Sequence, residues 1–190
     1  MENKSTQLNC PASTFSLEPT IIEQKIARLR ICMTIASESE PYFREGKKIL
    51  ETLKGVQEKK AEIEAYAAAF TALKAKHTSS PLEKLNAVNK ALPVLLKLAR
   101  ENPFNVEILF VKTAVFSRLP FFFQRTKEAL EDIEKLIQML ERQWHSLQDS
   151  LRNVIIEFLL TSSLASYSQK QRVKQCIKKS YSSPSSEVLA

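Results

Sequence analysis

The sequence predicts an all-α protein in which about seven to eight helices pack as antiparallel hairpins. Three observations support this. Apolar residues recur at spacings of three and four along most of the 190 residues, as on one face of a helix. No stretch alternates between apolar and polar residues over a useful length. The chain has only two glycines, Gly46 and Gly55, so tight β hairpins have little support.

The first helical pair is predicted in residues 18–53. Thr20 and Glu23 have the spacing of a capping box at the start of its first helix. Pro41 suits the first position of the second helix, because proline lacks the N–H that a first turn leaves unpaired. The apolar stripe of the first helix consists of Ile22, Ile26, Leu29, Met33 and Ala36.

The second pair is predicted in residues 58–102. Ser80, Pro81 and Glu83 form a helix start with a cap, a proline at the first helical position and a reciprocal capping partner. Pro93 removes one hydrogen bond inside the second helix, so a kink is expected there. The predicted apolar face of the first helix holds Ile63, Tyr66, Ala67, Phe70 and Leu73.

The third and fourth pairs complete the predicted domain. The third occupies residues 102–143, with Asn102 as its cap and Pro103 as its first helical residue. In the fourth, Ser146 is the predicted cap. A short basic helix from Ser168 to Lys179 is predicted to be its second member.

The two ends of the chain differ in composition from the helical domain, which is predicted over residues 19–180. Residues 1–18 and 181–190 are polar and rich in serine, so we predict disorder in both. The leader has no apolar core of a secretory signal, and no segment reaches the roughly 18 apolar residues of a membrane span. The sequence therefore predicts a cytoplasmic protein, although an export signal read by a specialised secretion machine remains an alternative for the leader.

The sequence lacks the motifs of common enzyme classes. GxGxxG, GxxxxGK[ST] and GxSxG are all absent, which removes support for dinucleotide folds, P-loop enzymes and the hydrolase elbow. Cys10, Cys32 and Cys176 form no CxxC pair, and Cys32 is expected to be a small buried residue. Glu141 and His145 share a helix face but are too few for a metal site. We predict a non-enzymatic protein without a cofactor or a metal.

Two segments of the chain resemble the second helix of degenerate tetratricopeptide repeats. The matching residues are Ala91, Leu95, Leu98 and Pro103 in the first segment and Ala129, Ile133 and Leu136 in the second. With their preceding helices these segments cover residues 57–141. Residues 102–132 are also similar to a segment of small bacterial helical-hairpin proteins. The resemblance implies a short α-solenoid of stacked hairpins that binds a protein or peptide in a groove.

The candidate binding site is the segment LPFFFQR, residues 119–125, which contains three consecutive phenylalanines. Leaving them in water would cost roughly 1.5 to 3 kcal/mol each, so burial is expected. In one interpretation the first and third fold back over their own hairpin, and the second packs on the next. In the other, one or two line a groove whose rim carries arginines that meet an acidic ligand. The predicted partner-binding residues are Phe121, Phe122, Phe123, Arg118 and Arg125.

We therefore predict a non-catalytic protein- or peptide-binding module, a scaffold or adaptor that uses a groove between hairpins and the Phe-rich loop 119–125. The alternative is binding of nucleic acid or an anionic surface through the basic helix 170–179, which the net charge of +7 would suit. No aromatic residue is interleaved among the cations of that helix, which favours the first hypothesis. A small-ligand pocket or enzyme site under the loop is a third hypothesis. The cations of the basic helix are Lys170, Arg172, Lys174, Lys178 and Lys179.

Overall fold

A computed structural model describes residues 19–182 of the protein, and within this range the chain consists of helices and short connections, with no β strand. The predicted all-α fold is confirmed. The helices are α1 (Pro19–Ile35), α2 (Glu40–Thr52), α3 (Lys60–Leu73), α4 (Pro81–Glu101), α5 (Val106–Phe116), α6 (Thr126–Gln143), α7 (Asp149–Thr161) and α8 (Tyr167–Ser182). Two 3₁₀ turns, Lys74–Lys76 and Phe121–Phe123, follow α3 and α5.

The predicted terminal segments fall almost entirely outside the described residues. Residues 1–18, which include Cys10, lie outside, as do residues 183–190. The helical domain extends past its predicted end at residue 180, because α8 continues to Ser182. No helix in the described part of the chain is both long enough and apolar enough to cross a membrane.

Helix α5 lies at the centre of the molecule. All of its residues are buried, because α3, α4, α6 and α7 pack around it. Apart from Glu107, Lys112 and Thr113, its sequence, VEILFVKTAVF, is apolar on every side, as expected of a helix surrounded by others. Consecutive helices also pack as pairs, α1 on α2, α3 on α4, α5 on α6 and α7 on α8. In addition, α1 contacts α7. The stacking of the pairs as a short solenoid stays a prediction.

Small residues allow α3 to approach its neighbours closely. Its buried face is rich in alanine, and small side chains let helix backbones come near each other. Ala67, which was predicted on this face, is exposed instead. On α2, Gly46 is buried against α3, and a Cβ atom at this position would overlap the ring of Phe70. The buried alanines of α3 are Ala65, Ala68, Ala69 and Ala72.

The start of α4 agrees with its prediction. The Ser80 hydroxyl accepts a hydrogen bond from the backbone N–H of Glu83 at 3.4 Å, and Pro81 is the first helical residue. The reciprocal half of the capping box is absent, because the Glu83 carboxylate accepts from the Thr78 hydroxyl at 2.6 Å. Helix α4 continues through Pro93, which is exposed.

Two other predicted caps are wrong. Helix α5 is capped by Asn105, whose side-chain oxygen accepts from two backbone N–H groups at 3.1 Å, whereas Asn102 donates to the Leu98 carbonyl at the end of α4. Similarly, the Ser146 hydroxyl donates to the Gln143 carbonyl at the end of α6. A serine or asparagine between two helices can serve either one, so composition alone does not decide which.

The predicted capping box of α1 is also wrong. The helix begins at Pro19, so Thr20 lies inside it. The carboxylate of Glu23 accepts a hydrogen bond from the Arg30 side chain at 2.8 Å. This contact lies on the side of α1 that faces the centre of the molecule, where it joins a larger polar cluster described below.

Candidate functional site

An apolar recess of about 400 Å³ lies where α1, α3, α4 and α5 meet the 3₁₀ turn Phe121–Phe123. We call it the Phe groove. Because these elements are far apart in sequence, the groove exists only once the helices have packed. Apolar side chains that line it include Met33, Leu73, Leu85, Val88, Val115 and Leu119.

The 3₁₀ turn gives its three phenylalanines different environments. Phe123 is partly buried and packs on the core, as predicted for it. Phe122 is 60% exposed and lines the Phe groove together with Phe123, with 4.6 Å between the ring centroids. Phe121 is 85% exposed and does not line the groove. Its predicted burial is therefore wrong, and so is the predicted packing of Phe122 on the next hairpin.

The connection that carries these rings is a hydrogen-bonded 3₁₀ turn. The backbone N–H of Phe123 donates to the Pro120 carbonyl at 3.0 Å, and that of Gln124 donates to the Phe121 carbonyl at 2.8 Å. Gln124 has a φ of 55°, a left-handed conformation that few residues other than glycine adopt. These bonds fix the direction in which the exposed rings point.

Three cations surround the mouth of the Phe groove. Lys76 comes from the first 3₁₀ turn, Lys84 from α4, and Arg118 from the segment after α5. Within residues 19–182, none of the three side chains forms an ion pair or a hydrogen bond. The Arg118 residue is exposed. Desolvation by neighbouring groups nevertheless lowers the pKa of its guanidinium, and the charge of Glu38 partly offsets this effect. The groove mouth therefore has a positive charge that no ion pair within the described residues neutralises.

Arg125 does not lie on the rim of the groove, which corrects its predicted position. It immediately precedes α6, and its guanidinium pairs with Glu128 in the first turn of that helix at 3.2 Å. The guanidinium also lies over the ring of Phe116, 5.7 Å from the centroid. The left-handed turn at Gln124 separates Arg125 from the exposed rings, so the two predicted rim arginines occupy different places.

The basic residues of α8 do not act as one group. Arg172 donates hydrogen bonds to Glu134 at 2.6 Å and to both oxygens of Glu141 at 2.9 and 2.7 Å. These hydrogen bonds raise the pKa of Arg172 and engage all three of its guanidinium nitrogens with carboxylates, which does not favour its predicted place in an anion-binding set. Lys174 is exposed, and Lys170 is partly buried. Lys178 and Lys179 are also exposed.

Sequence reasoning missed a buried polar cluster at the centre of the fold. The fully buried Arg30 donates two hydrogen bonds to the Glu107 carboxylate, at 2.8 and 2.9 Å. Tyr66 donates to the same carboxylate at 2.8 Å. Arg30 also donates to Glu23 at 2.8 Å and to Ser150 at 2.6 Å. The cluster joins α1, α3, α5 and α7. Burial, followed by the charge of Glu107, raises the pKa of Tyr66.

A second missed cluster joins α5 to α6. The Lys112 ammonium pairs with Glu128 and Asp132, both at 2.8 Å, and lies 5.4 Å from the Phe116 ring centroid. Asp132 is buried. A usable signal was present, since Glu107 and Lys112 are charges in a helix that is otherwise apolar on all sides. Such charges predict buried partners.

None of these groups suggests a reaction. Cys32 is buried as predicted, and burial, followed by the charge of Glu45, raises its pKa to about 11, so it is a neutral thiol. No residue of either buried cluster lines the Phe groove. Across the described part of the chain, no group of three or more His, Cys, Asp or Glu side chains could hold a metal ion.

Comparison with known proteins finds nothing similar to this chain. No family model matches it, and no curated protein and no solved structure is detectably similar to it. The resemblance to tetratricopeptide repeats therefore stays a prediction, and the function has to be inferred from the groove.

Proposed function

We propose that this protein is a non-catalytic interaction module whose Phe groove binds a protein segment in which apolar side chains stand next to carboxylates. One observation carries the proposal: the groove is apolar, and the side chains of the three cations at its mouth form no ion pair or hydrogen bond with residues 19–182. The module would serve as a scaffold or adaptor.

The apolar part of the site extends beyond the groove itself. Phe121 lies outside the groove but contacts the Phe122 ring edge to face, with 6.2 Å between the centroids. On α4, Leu85 lines the groove and Leu82, one turn earlier, is 67% exposed. A small molecule confined to the groove would leave Phe121 and Leu82 in water. Because adjoining exposed apolar residues mark interaction surfaces, a protein segment is the better occupant.

The charge of the groove mouth determines the class of segment. A basic or uncharged segment would leave Lys76, Lys84 and Arg118 without partners and would remove water from around them, which is unfavourable. Carboxylates on the segment would pair with them. Exposed ion pairs contribute modestly, so the apolar contacts would supply most of the affinity and the charges most of the orientation.

The residues behind the family resemblance also fit this proposal. Six of the seven matching residues lie on α4 and α6 and are buried. The seventh, Pro103, is exposed. Burial of the same positions in both pairs supports stacked tetratricopeptide-like repeats, which bind protein segments in grooves. We also propose a cytoplasmic location, which the free thiols of Cys32 and Cys176 support.

A direct test measures the binding of short synthetic peptides to the intact protein by fluorescence anisotropy. We expect acidic peptides with paired leucine or phenylalanine residues to bind, and matched peptides with lysine in place of the acidic residues to fail. Phe122→Ser should weaken binding by about tenfold or more, as for a central interface aromatic.

The matched control is Phe104→Ser. Phe104 is 82% exposed but lies in the turn between α4 and α5 and does not line the groove. This variant should bind the peptides as the unchanged protein does, and circular dichroism should show both variants folded. Equal binding of acidic and basic peptides, or equal loss in the two variants, would refute the proposal.

A further inference from the structure

A second recess, which we call the Trp recess, lies between the end of α6 and residues 172–180 of α8. Its volume is about 310 Å³, and it shares no lining residue with the Phe groove. Unlike the groove, it is lined mainly by polar and charged side chains. They include Arg142, Trp144, His145, Arg172, Gln175 and Lys179.

Trp144 provides an aromatic wall that is held in place. Arg152 lies over its ring at 5.1 Å and donates a hydrogen bond to the Trp144 carbonyl at 2.9 Å. Arg152 does not line the recess, so it does not cover the indole surface that borders the recess. The sequence of α8 contains no aromatic residue among its cations, but the structure brings one to them from the end of α6.

The recess also has an excess of positive charge. Of the cations that line it, Arg172 is bonded to Glu141, the one carboxylate in the lining among residues 19–182, and the charge available to a ligand is that of Arg142. Arg142 has no ion pair with any described residue. Helix α8 itself contains no acidic residue. An anionic ligand would therefore find an uncompensated charge here.

We propose that the Trp recess binds a nucleobase with an adjacent phosphate, as a free nucleotide or within single-stranded nucleic acid. The base stacks on Trp144, and the phosphate pairs with Arg142. An anionic membrane is a poorer fit, because membrane-anchoring aromatics project into the lipid, whereas Trp144 is partly buried in the wall of a recess. This site is independent of the proposed function of the Phe groove.

The site carries its own reporter, because Trp144 is the single tryptophan of the chain. Stacking of a base on the indole should quench its emission. We expect saturable quenching when oligouridylate is titrated into the intact protein at low salt, and weaker binding as salt is raised. Uridine monophosphate in a parallel titration distinguishes the two sources: quenching by both identifies a nucleotide site, and quenching by the oligomer alone identifies a strand site.

Two further ligands can overturn the proposal. An abasic oligomer of the same length keeps the phosphates but has no bases, so it should bind more weakly and leave the emission unquenched. Quenching by the abasic oligomer as strong as by oligouridylate would refute stacking. Phosphatidylserine vesicles should not compete with oligouridylate. If vesicles shift the Trp144 emission to the blue and oligouridylate has no effect, the surface binds membranes and the proposal is refuted.

Variants test the residues, with a labelled oligouridylate and anisotropy as the readout. Trp144→Leu should lower affinity by about tenfold, as expected for loss of one stacked base. Arg142→Gln should lower affinity and reduce the salt slope by about one phosphate contact. Lys90→Gln on α4 removes the same charge from an exposed position outside both recesses and should leave affinity unchanged. If Arg142→Gln and Lys90→Gln lower the affinity equally, general charge attraction explains the binding and the proposed site is refuted.

Discussion

At the scale of single residues, Arg30 and Arg28 illustrate how burial decides the value of an ion pair. Both lie on α1 and both bond a carboxylate through two guanidinium nitrogens, Arg30 to Glu107 and Arg28 to Glu45. The first pair is buried, whereas the second is on the surface. A carboxylate in the interior has no water to replace a lost partner, so Arg30 matters more to folding.

We therefore expect Arg30→Met to lower the free energy of unfolding by roughly 3 to 5 kcal/mol, because Glu107 would stay buried without its partner. Urea unfolding followed by circular dichroism measures this. Arg28→Met is the matched control on the same helix and should have a small effect. The double variant Arg30→Met, Glu107→Leu should recover part of the loss, and a double variant as unstable as the single one would contradict this explanation.

Glu134 should contribute to the pH dependence of stability. Its hydrogen bonds with Arg172, and then with Gln169, lower its pKa. A carboxyl whose pKa is lower in the folded state stabilises the fold above its unfolded pKa of about 4.3, and this contribution disappears as the pH falls through the folded value. Unfolding by urea, measured from neutral pH down to about pH 3, should lose less stability in Glu134→Gln than in the unchanged protein.

Glu131→Gln is the control for this measurement. Glu131 lies on the same helix, is exposed, and forms no ion pair with a described residue. Its replacement should leave the shape of the pH profile unchanged. A profile altered equally by both replacements would show that the overall charge, rather than the contact between α6 and α8, is responsible.

At the scale of helices, the contact between α2 and α3 depends on the absence of a side chain. Gly46 lies directly against the ring of Phe70, which also stacks on Phe43 with 6.0 Å between centroids. Gly46→Ala adds a methyl group where there is no space, so we expect a loss of about 1 to 3 kcal/mol in the free energy of unfolding.

Chemical denaturation of Gly46→Ala provides the measurement, and a compensating change provides the control. Phe70→Leu removes the ring atoms that a Cβ at residue 46 would overlap, so the double variant should lose less than the sum of the two single variants. Strict additivity would mean that the cost of the alanine has another origin.

The helices themselves were predictable because their signal is local. Four residues of the stripe from Ile22 to Ala36 lie in α1 and Ala36 directly follows it, and all five are buried. Caps were less predictable, since Asn102 and Ser146 lie between two helices and each bonds the preceding one. The Phe groove combines α1, α3, α4 and α5, so its identity depends on packing that no single segment encodes. Only the participation of Arg118 and the phenylalanines could be proposed from the sequence.

At the scale of the whole molecule, stability should be concentrated at the centre. Helix α5 is surrounded by four helices and joined through Glu107 to Arg30 on α1, whereas α8 packs mainly on α6 and α7 among the described helices. Hydrogen exchange followed by mass spectrometry should therefore show the slowest exchange in α5, at the rate of global unfolding, and faster exchange in α8. Comparable protection in the two helices would contradict this hierarchy.

The hydrogen-bonded turn beneath Phe121 and Phe122 has a consequence for the speed of recognition. Its backbone is already closed by two bonds and anchored by Phe123, so an arriving segment need not organise it. Binding then costs this turn little conformational entropy, and most of the entropy loss occurs in the bound segment. Under the proposed function, binding at this turn would need no refolding of the turn, which favours fast association.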